Sequence, residues 1–309
     1  MLFTKMHGAG NEFLLIDGLD LPLPPHLDFA SIAARACDRS TGPGADGLIV
    51  LEHASGLDAR MRIFNADGSE AGACGNGLRC VGKYLYDHKY IRRKDATIAT
   101  ASGKRELTLE VVAGEVVSVS VWMGNVRLEA RGERREDKNT QARSASKGLQ
   151  GPPPDRYKIW PLQELRQADL SVVPQPSTVV QVGNPHCVFF VDELSDELIH
   201  ELGPAIETHP AFPDRTNVEF ARINSRTDVA LRVWERGVGE TAACGTGACA
   251  AIAAGIHAGL LNRDATCHLP GGDLQVSWIN AGSQIRLTGP AVTVGVVAWE
   301  QPDQFAKAA

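Results

Sequence analysis

Cys74 and Cys244 stand in matching surroundings. Ala73-Cys74-Gly75-Asn76-Gly77 is repeated as Ala243-Cys244-Gly245-Thr246-Gly247, and the residues leading into each copy match as well. Arg62-Ile63-Phe64-Asn65 precedes Glu70, and Arg232-Val233-Trp234-Glu235 precedes Glu240. The pairs Arg62/Arg232, Glu70/Glu240, Cys74/Cys244, Gly75/Gly245 and Gly77/Gly247 keep one constant offset. Two thiols on opposite sides of one carbon suit a reaction that removes a proton from one face and returns one to the other. One thiol must then be a thiolate base and the other a thiol acid. Repulsion between two thiolates favours that mixed state, so the pair titrates as a unit.

Each cysteine precedes a Gly-x-Gly that opens a helix. The unpaired N–H groups and the dipole at that end stabilise a thiolate, and they can also hold a substrate carboxylate and the charge that develops on it. Glycine allows the close backbone approach. A single Cys-Gly-x-Gly would read as a small core cysteine before an ordinary turn; duplication in register makes a catalytic pair the better reading. Cys80 and Cys249, further along the helices, read as core. Zinc is a poor fit, because the cysteine spacing is not that of a structural site and no histidine pair follows. No metal and no cofactor is expected.

The repeat reaches further. Gly10-Asn11 followed by an apolar strand resembles Gly183-Asn184 followed by another, and the run 44–50 parallels 215–220. Three segments in one order indicate duplication. Helices are expected from Gly75 to about Tyr90 and from Gly245 to about Leu261. The second is rich in Ala and Gly on all sides, hence buried and closely wrapped. Asp28 can cap a helix whose Phe29, Ile32, Ala33 and Ala36 share a face. Strands are expected at 107–112, 117–121, 275–279 and 291–297. The fold class is therefore α/β in the α+β sense: two pseudo-symmetric domains, 1–128 and 161–289. The stretch 129–160, charged and proline-rich with little to bury, reads as a polar loop or linker.

The 309 residues suffice for two domains, and 43% hydrophobic with 22% charged residues is the balance of a soluble globular protein. A net charge of −6 gives no general attraction to nucleic acid or anionic membranes. Neither a secretory signal nor a membrane span is expected, since no basic start leads into an apolar run and no apolar stretch reaches bilayer length. Seven cysteines, an odd number, fit free thiols in a reducing cytoplasm.

Asn11, Asn65 and Asn184 could shape turns, Glu235-Arg236 could form a surface ion pair, and His7 and His186 could be structural. His186 could also tune Cys74. Taken together, however, Met6-His7-Gly8-Ala9-Gly10-Asn11-Glu12-Phe13, Phe64-Asn65-Ala66-Asp67-Gly68-Ser69, the two cysteine motifs, Gly183-Asn184-Pro185-His186, Asn217-Val218-Glu219 and Trp234-Glu235-Arg236-Gly237 resemble the diaminopimelate epimerase family over nearly the whole chain. The resemblance implies cofactor-independent conversion of LL-diaminopimelate to the meso isomer, for lysine and peptidoglycan synthesis. It also implies two curved, mainly antiparallel sheets, each around a central helix, with the site in the cleft between them. A homodimer is expected, with the last strand, within 290–309, returning to the first domain. By motif, Cys74 and Cys244 would be the acid/base pair. Gly75, Asn76, Gly245 and Thr246 would bind the carboxylate at the reacting carbon. Asn11, Asn65, Asn184, Asn217, Glu235 and Arg236 would contact the rest of the substrate. Gly47 stands where certain relatives carry a substrate-contacting Gln, and glycine offers no side chain for that contact.

The alternative is a proline or hydroxyproline racemase-like protein, which shares the two-cysteine logic but typically carries Cys-Gly-His-Gly first; Asn76 argues against it. A binding module on this fold would be expected to have lost a cysteine. A thiol oxidoreductase would want Cys-x-x-Cys.

Overall fold

The computed structural model describes residues 1–129, 159–171, 173–175, 177–280 and 282–300. The expected polar segment 129–160 lies outside the described residues except at its ends. The chain divides into two compact units, Met1–Val121 with Gly289–Ala309, and Trp122–Thr288.

Unit 1 begins β1 (Leu2–Gly8), β2 (Asn11–Asp17), α1 (Phe29–Ala36), β3 (Gly47–Glu52), β4 (Ala59–Asn65) and β5 (Glu70–Ala71). It continues with α2 (Gly75–Asp87), β6 (Asp95–Thr100), β7 (Gly103–Val112) and the start of β8 (Glu115–Asn125). Unit 2 holds β9 (Arg127–Glu129), α3 (Leu162–Arg166), β10 (Thr178–Gln181), β11 (Pro185–Phe190), α4 (Asp196–Glu207) and β12 (Asn217–Ser225). Then come β13 (Asp228–Glu235), β14 (Gly239–Thr241), α5 (Gly245–His257), β15 (Asp264–Leu269), β16 (Gly272–Ser277) and β17 (Gln284–Gly289). The last strand, β18 (Val292–Ala298), belongs to unit 1 and pairs antiparallel with β1.

The pairing registers repeat between the units. β2 runs parallel to β3 with Phe13 opposite Gly47, and β11 parallel to β12 with His186 opposite Asn217. Leu48 faces Phe64 as Val218 faces Trp234, and Phe64 faces Glu70 as Trp234 faces Glu240. A one-residue slip would turn every side chain to the wrong face, so this agreement is structural evidence for the duplication. The remaining pairings are mainly antiparallel, apart from the parallel contacts β4–β6 and β13–β15. The class is α+β.

One helix lies at the centre of each sheet. α5 packs against β10, β11, β12, β13, β15 and β16, so the sheet curves around it. Its alanines and Gly247 and Gly255 are buried, because only small residues let strands approach from several sides at once. α2 packs against β1, β4, β7 and β18. At Gly82 a Cβ would lie 2.9 Å from a Leu107 methyl, so the helix touches β7 with no room for another atom. Both helices stop earlier than the sequence suggests. Lys89 turns left-handed at φ 66° after α2, and Gly259 at φ 73° after α5. Each reversal lets a later N–H bond back into the last turn, Ile91 to Leu85 O and Leu260 to Gly255 O. The strand expected at 275–279 likewise ends at Ser277, where the Trp278 indole turns to donate to Ser283 O.

Asp28 caps α1 by accepting from Ser31 N, with Phe29, Ile32, Ala33 and Ala36 buried, as the helical spacing requires. Among the described residues no helix is long and apolar enough to cross a membrane.

Candidate active site

In both units the cysteine is the N-cap of the central helix. Cys74 has φ −139° and ψ 122°, and Cys244 φ −119° and ψ 111°, so each thiol leaves an extended strand end as the helix begins. Gly47 and Asn217 open β3 and β12 at corresponding places.

In unit 1 the Cys74 thiol lies 3.9 Å from Asn11 Oδ1, which also accepts from Asn76 Nδ2 at 3.2 Å. Asn11 is fixed from its other end, donating through Nδ2 to Asp46 Oδ2 at 2.9 Å. Asp46 is held in turn by the Glu12 backbone N–H and by Arg39, which also binds Glu12. This chain keeps the oxygen of Asn11 aimed at Cys74 and Asn76. Gly8 makes room for the helix start, since a Cβ there would lie 3.0 Å from Asn76 O. Asn65 stands apart at the end of β4, donating across the following turn to Ser69 Oγ at 2.9 Å.

In unit 2 the Cys244 Sγ accepts from Gly247 N at 3.4 Å and lies 3.5 Å from Thr246 Oγ1. Glu235 accepts from Thr241 Oγ1 at 2.5 Å, and its carboxylate also interacts with the Cys244 thiol. Burial pushes the Cys244 thiol well above its ordinary value, and the Glu235 charge pushes it further, outweighing the help of Thr246 and Gly247 N–H. Burial also raises the Glu235 carboxyl, opposed by Thr241 and Cys244. Glu235 and Arg236 are therefore no surface ion pair: Arg236 donates instead to Asp214 O at 2.9 Å. Asn217 is buried, donating to Pro185 O at 2.8 Å and accepting from Arg236 N at 3.0 Å, so it ties the turn after β13 to the start of β11. Asn184 follows Gly183, whose φ of 80° matches that of Gly10 before Asn11.

His186 and Glu219 are both fully buried, with Nδ1 and Oε1 2.6 Å apart; His186 Nε2 lies 2.9 Å from Asn184 Oδ1. The hydrogen-bond partners of His186 are thus in unit 2. Glu219 is a residue whose part the sequence reading missed. The available signal was a carboxylate between Val218 and Phe220 inside an apolar strand. Arg79, fully buried on α2, was missed too; it donates to Pro290 O at 3.1 Å, just before β18. Cys80 and Cys249 are buried among core residues.

This fold is shared with racemases and epimerases. A probable proline racemase from Agrobacterium radiobacter superposes with TM-score 0.64 at 16% identity, over 99% of this chain and 94% of that one. A predicted epimerase from Pseudomonas aeruginosa gives TM-score 0.65 at 16% identity, over 97% and 99%. Those identities carry the fold alone. Sequence carries more: the diaminopimelate epimerase family model matches residues 3–129 and 178–294. The diaminopimelate epimerase of Pelotomaculum thermopropionicum is 44% identical over 95% of this chain and 97% of its own, and that of Geobacillus kaustophilus 42% over 94% of each. The chain belongs to the diaminopimelate epimerase family, whose members are PLP-independent isomerases.

Proposed function

We propose that this protein converts LL-diaminopimelate to meso-diaminopimelate, with Cys74 and Cys244 as the two acid/base groups. The observation that carries this reading is the duplicated cysteine at the N-cap of each central helix, in a chain belonging to this family. In the direction where Cys74 is the base, its thiolate takes the α-proton and the electron pair moves onto the neighbouring carboxylate. Cys244, which burial and Glu235 favour as a thiol, donates its proton to the opposite face. The two cysteines then hold exchanged protonation states, and the reverse direction uses them in the opposite roles. Gly75, Asn76, Gly245 and Thr246, at the two helix N-termini, stabilise the charge on that carboxylate. Glu235 can take the Cys244 proton when Cys244 must become the base. Asn11, Asn65, Asn184, Asn217 and Arg236 serve the remainder of the substrate; Gly47 contributes no side chain.

The protein acts as a homodimer. Leu2, Val294 and Val296 are 68%, 57% and 70% exposed on the paired strands β1 and β18, an apolar surface suited to a second copy. It works in the cytoplasm, the compartment in which its seven free thiols persist. Turnover of LL-diaminopimelate by the purified chain without added cofactor tests the activity. Failure to turn it over, with proline racemised instead, would replace this reading by a proline racemase.

A further inference from the structure

The two asparagines that follow the duplicated Gly turns are held by opposite ends. Asn11 gives its Nδ2 to Asp46 and so presents its oxygen to Cys74 and Asn76. Asn184 has its oxygen taken by His186 Nε2 at 2.9 Å. Among the described residues its Nδ2 donates to no protein acceptor, although the residue is partly buried. The acids responsible do not occupy corresponding positions: Asp46 precedes β3, whereas Glu219 is the third residue of β12.

An amide oxygen carries no proton, so the bond to Asn184 Oδ1 requires the proton on His186 Nε2. Two arrangements then remain at the 2.6 Å contact between Nδ1 and Glu219: imidazolium with carboxylate, or imidazole with carboxylic acid. Both keep Nε2–H as a donor, and both leave the buried pair with no net charge. A buried ion without such a partner would be strongly disfavoured. The Glu219 carboxylate lies close against the start of α5, where a Cβ at Gly247 would be 3.0 Å from its Oε1, tighter than ordinary van der Waals contact.

We infer that Glu219 is a positioning residue that acts through His186 to turn the Asn184 amide, so that Nδ2 is offered as a hydrogen-bond donor to a carboxylate of the substrate. Resting on the function proposed above, in which Asn184 already serves the substrate, this gives the buried His186–Glu219 pair a positioning part. Glu219 touches no substrate. Its effect is on which end of Asn184 the substrate meets.

The test combines kinetics with the protonation state of His186 in the full chain. Nitrogen-15 spectra of the wild-type protein should show His186 Nε2 protonated; an unprotonated Nε2 would overturn the inference whatever the kinetics. With LL-diaminopimelate, Asn184→Asp keeps an acceptor for Nε2–H but loses the donor. It should raise KM by roughly tenfold or more, the loss expected for a hydrogen bond to a charged group, with a smaller change in kcat. Glu219→Leu should raise KM similarly, and Glu219→Gln should recover most of that loss, because its amide can donate to Nδ1 and keep the proton on Nε2. Unchanged KM in Asn184→Asp, or a kcat loss without a KM change in Glu219→Leu, would overturn the inference. Should Glu219→Leu fail to fold, the Asn184→Asp kinetics and the wild-type spectrum decide. Absence of turnover in the wild type would instead remove the proposed function, and the His186 spectrum would still report on the pair.

Discussion

The backbone N–H of Gly247 points at the Cys244 sulfur from 3.4 Å, so the cysteine that caps α5 receives a helix N–H as its own ligand. That contact favours the thiolate, yet burial and the Glu235 carboxylate act against it and prevail. The free protein therefore holds Cys244 as a thiol, ready to donate. Replacing Glu235 by Gln removes the opposing charge, and the Cys244 thiol should then ionise at lower pH. The alkaline limb of the kcat/KM profile should move to lower pH. The same variant loses the group that accepts the Cys244 proton, so its maximal rate should fall by about 10²–10⁴. An unmoved limb would show that Glu235 does not act on this thiol.

On the two-thiol mechanism proposed above, Cys74→Ala and Cys244→Ala should each abolish epimerisation, because each would remove the proton carrier for one face of the α-carbon. A loss of about 10²–10⁴ is the scale set by general acid–base groups. In deuterated solvent the wild-type enzyme should place deuterium in the product before it appears in recovered substrate. Near-wild-type turnover by either variant would remove the two-thiol mechanism.

Gly247→Ala tests how tightly the start of α5 is built. Its new methyl would lie 3.0 Å from the Glu219 carboxylate and 3.3 Å from both Cβ and Sγ of Cys244. Glu219 cannot swing aside, because His186 holds it in a fully buried position. The cysteine must move instead, and reacting groups displaced by a fraction of an ångström lose much of their advantage. Activity should drop by roughly tenfold or more, with stability lowered by about 1–3 kcal/mol. Steady-state kinetics beside a urea denaturation curve separate the two effects.

Sequence made the helix starts readable because the signals there are local. Asp28 before an apolar helical stripe, and cysteine before Gly-x-Gly, each specify a cap within a few residues. The duplication was readable because Arg62/Glu70 and Arg232/Glu240 keep their spacing, and each pair does form a two-pronged ion pair across adjacent strands. The partners of His186, Asn11 and Glu235 were not readable. Glu219 reaches His186 only through the parallel register of β11 and β12, and Asp46 reaches Asn11 across a loop containing α1. Such contacts depend on which strands become neighbours, and a linear pattern of residue types does not encode that. The end of α2 was misjudged because left-handed Lys89 carries no glycine-like mark, whereas Gly259 beyond α5 was a stop signal the sequence did offer.

The repeated ion pair gives a prediction about stability. Arg232 holds Glu240 through Nε at 2.6 Å and Nη2 at 2.9 Å, and keeps that carboxyl below its ordinary pKa of 4.5. In unit 1 Arg62 does the same to Glu70, but with side-chain exposures of 27% and 36% against 17% and 21% in unit 2. Better shielding from water should make the unit 2 pair the stronger, although partly exposed pairs contribute no more than about 1 kcal/mol. Because the native carboxylate has the lower pKa, the stabilisation is complete above the ordinary glutamate pKa and vanishes as pH falls through the lowered native value. Glu240→Gln should therefore lower the urea midpoint at pH 7 more than Glu70→Gln does. The deficit of Glu240→Gln should shrink steadily as pH falls from about 4.5, where the unfolded carboxylate takes up its proton, through the lowered native value. A deficit that stayed constant down to pH 2 would assign the loss to packing and leave the charge with no part in it.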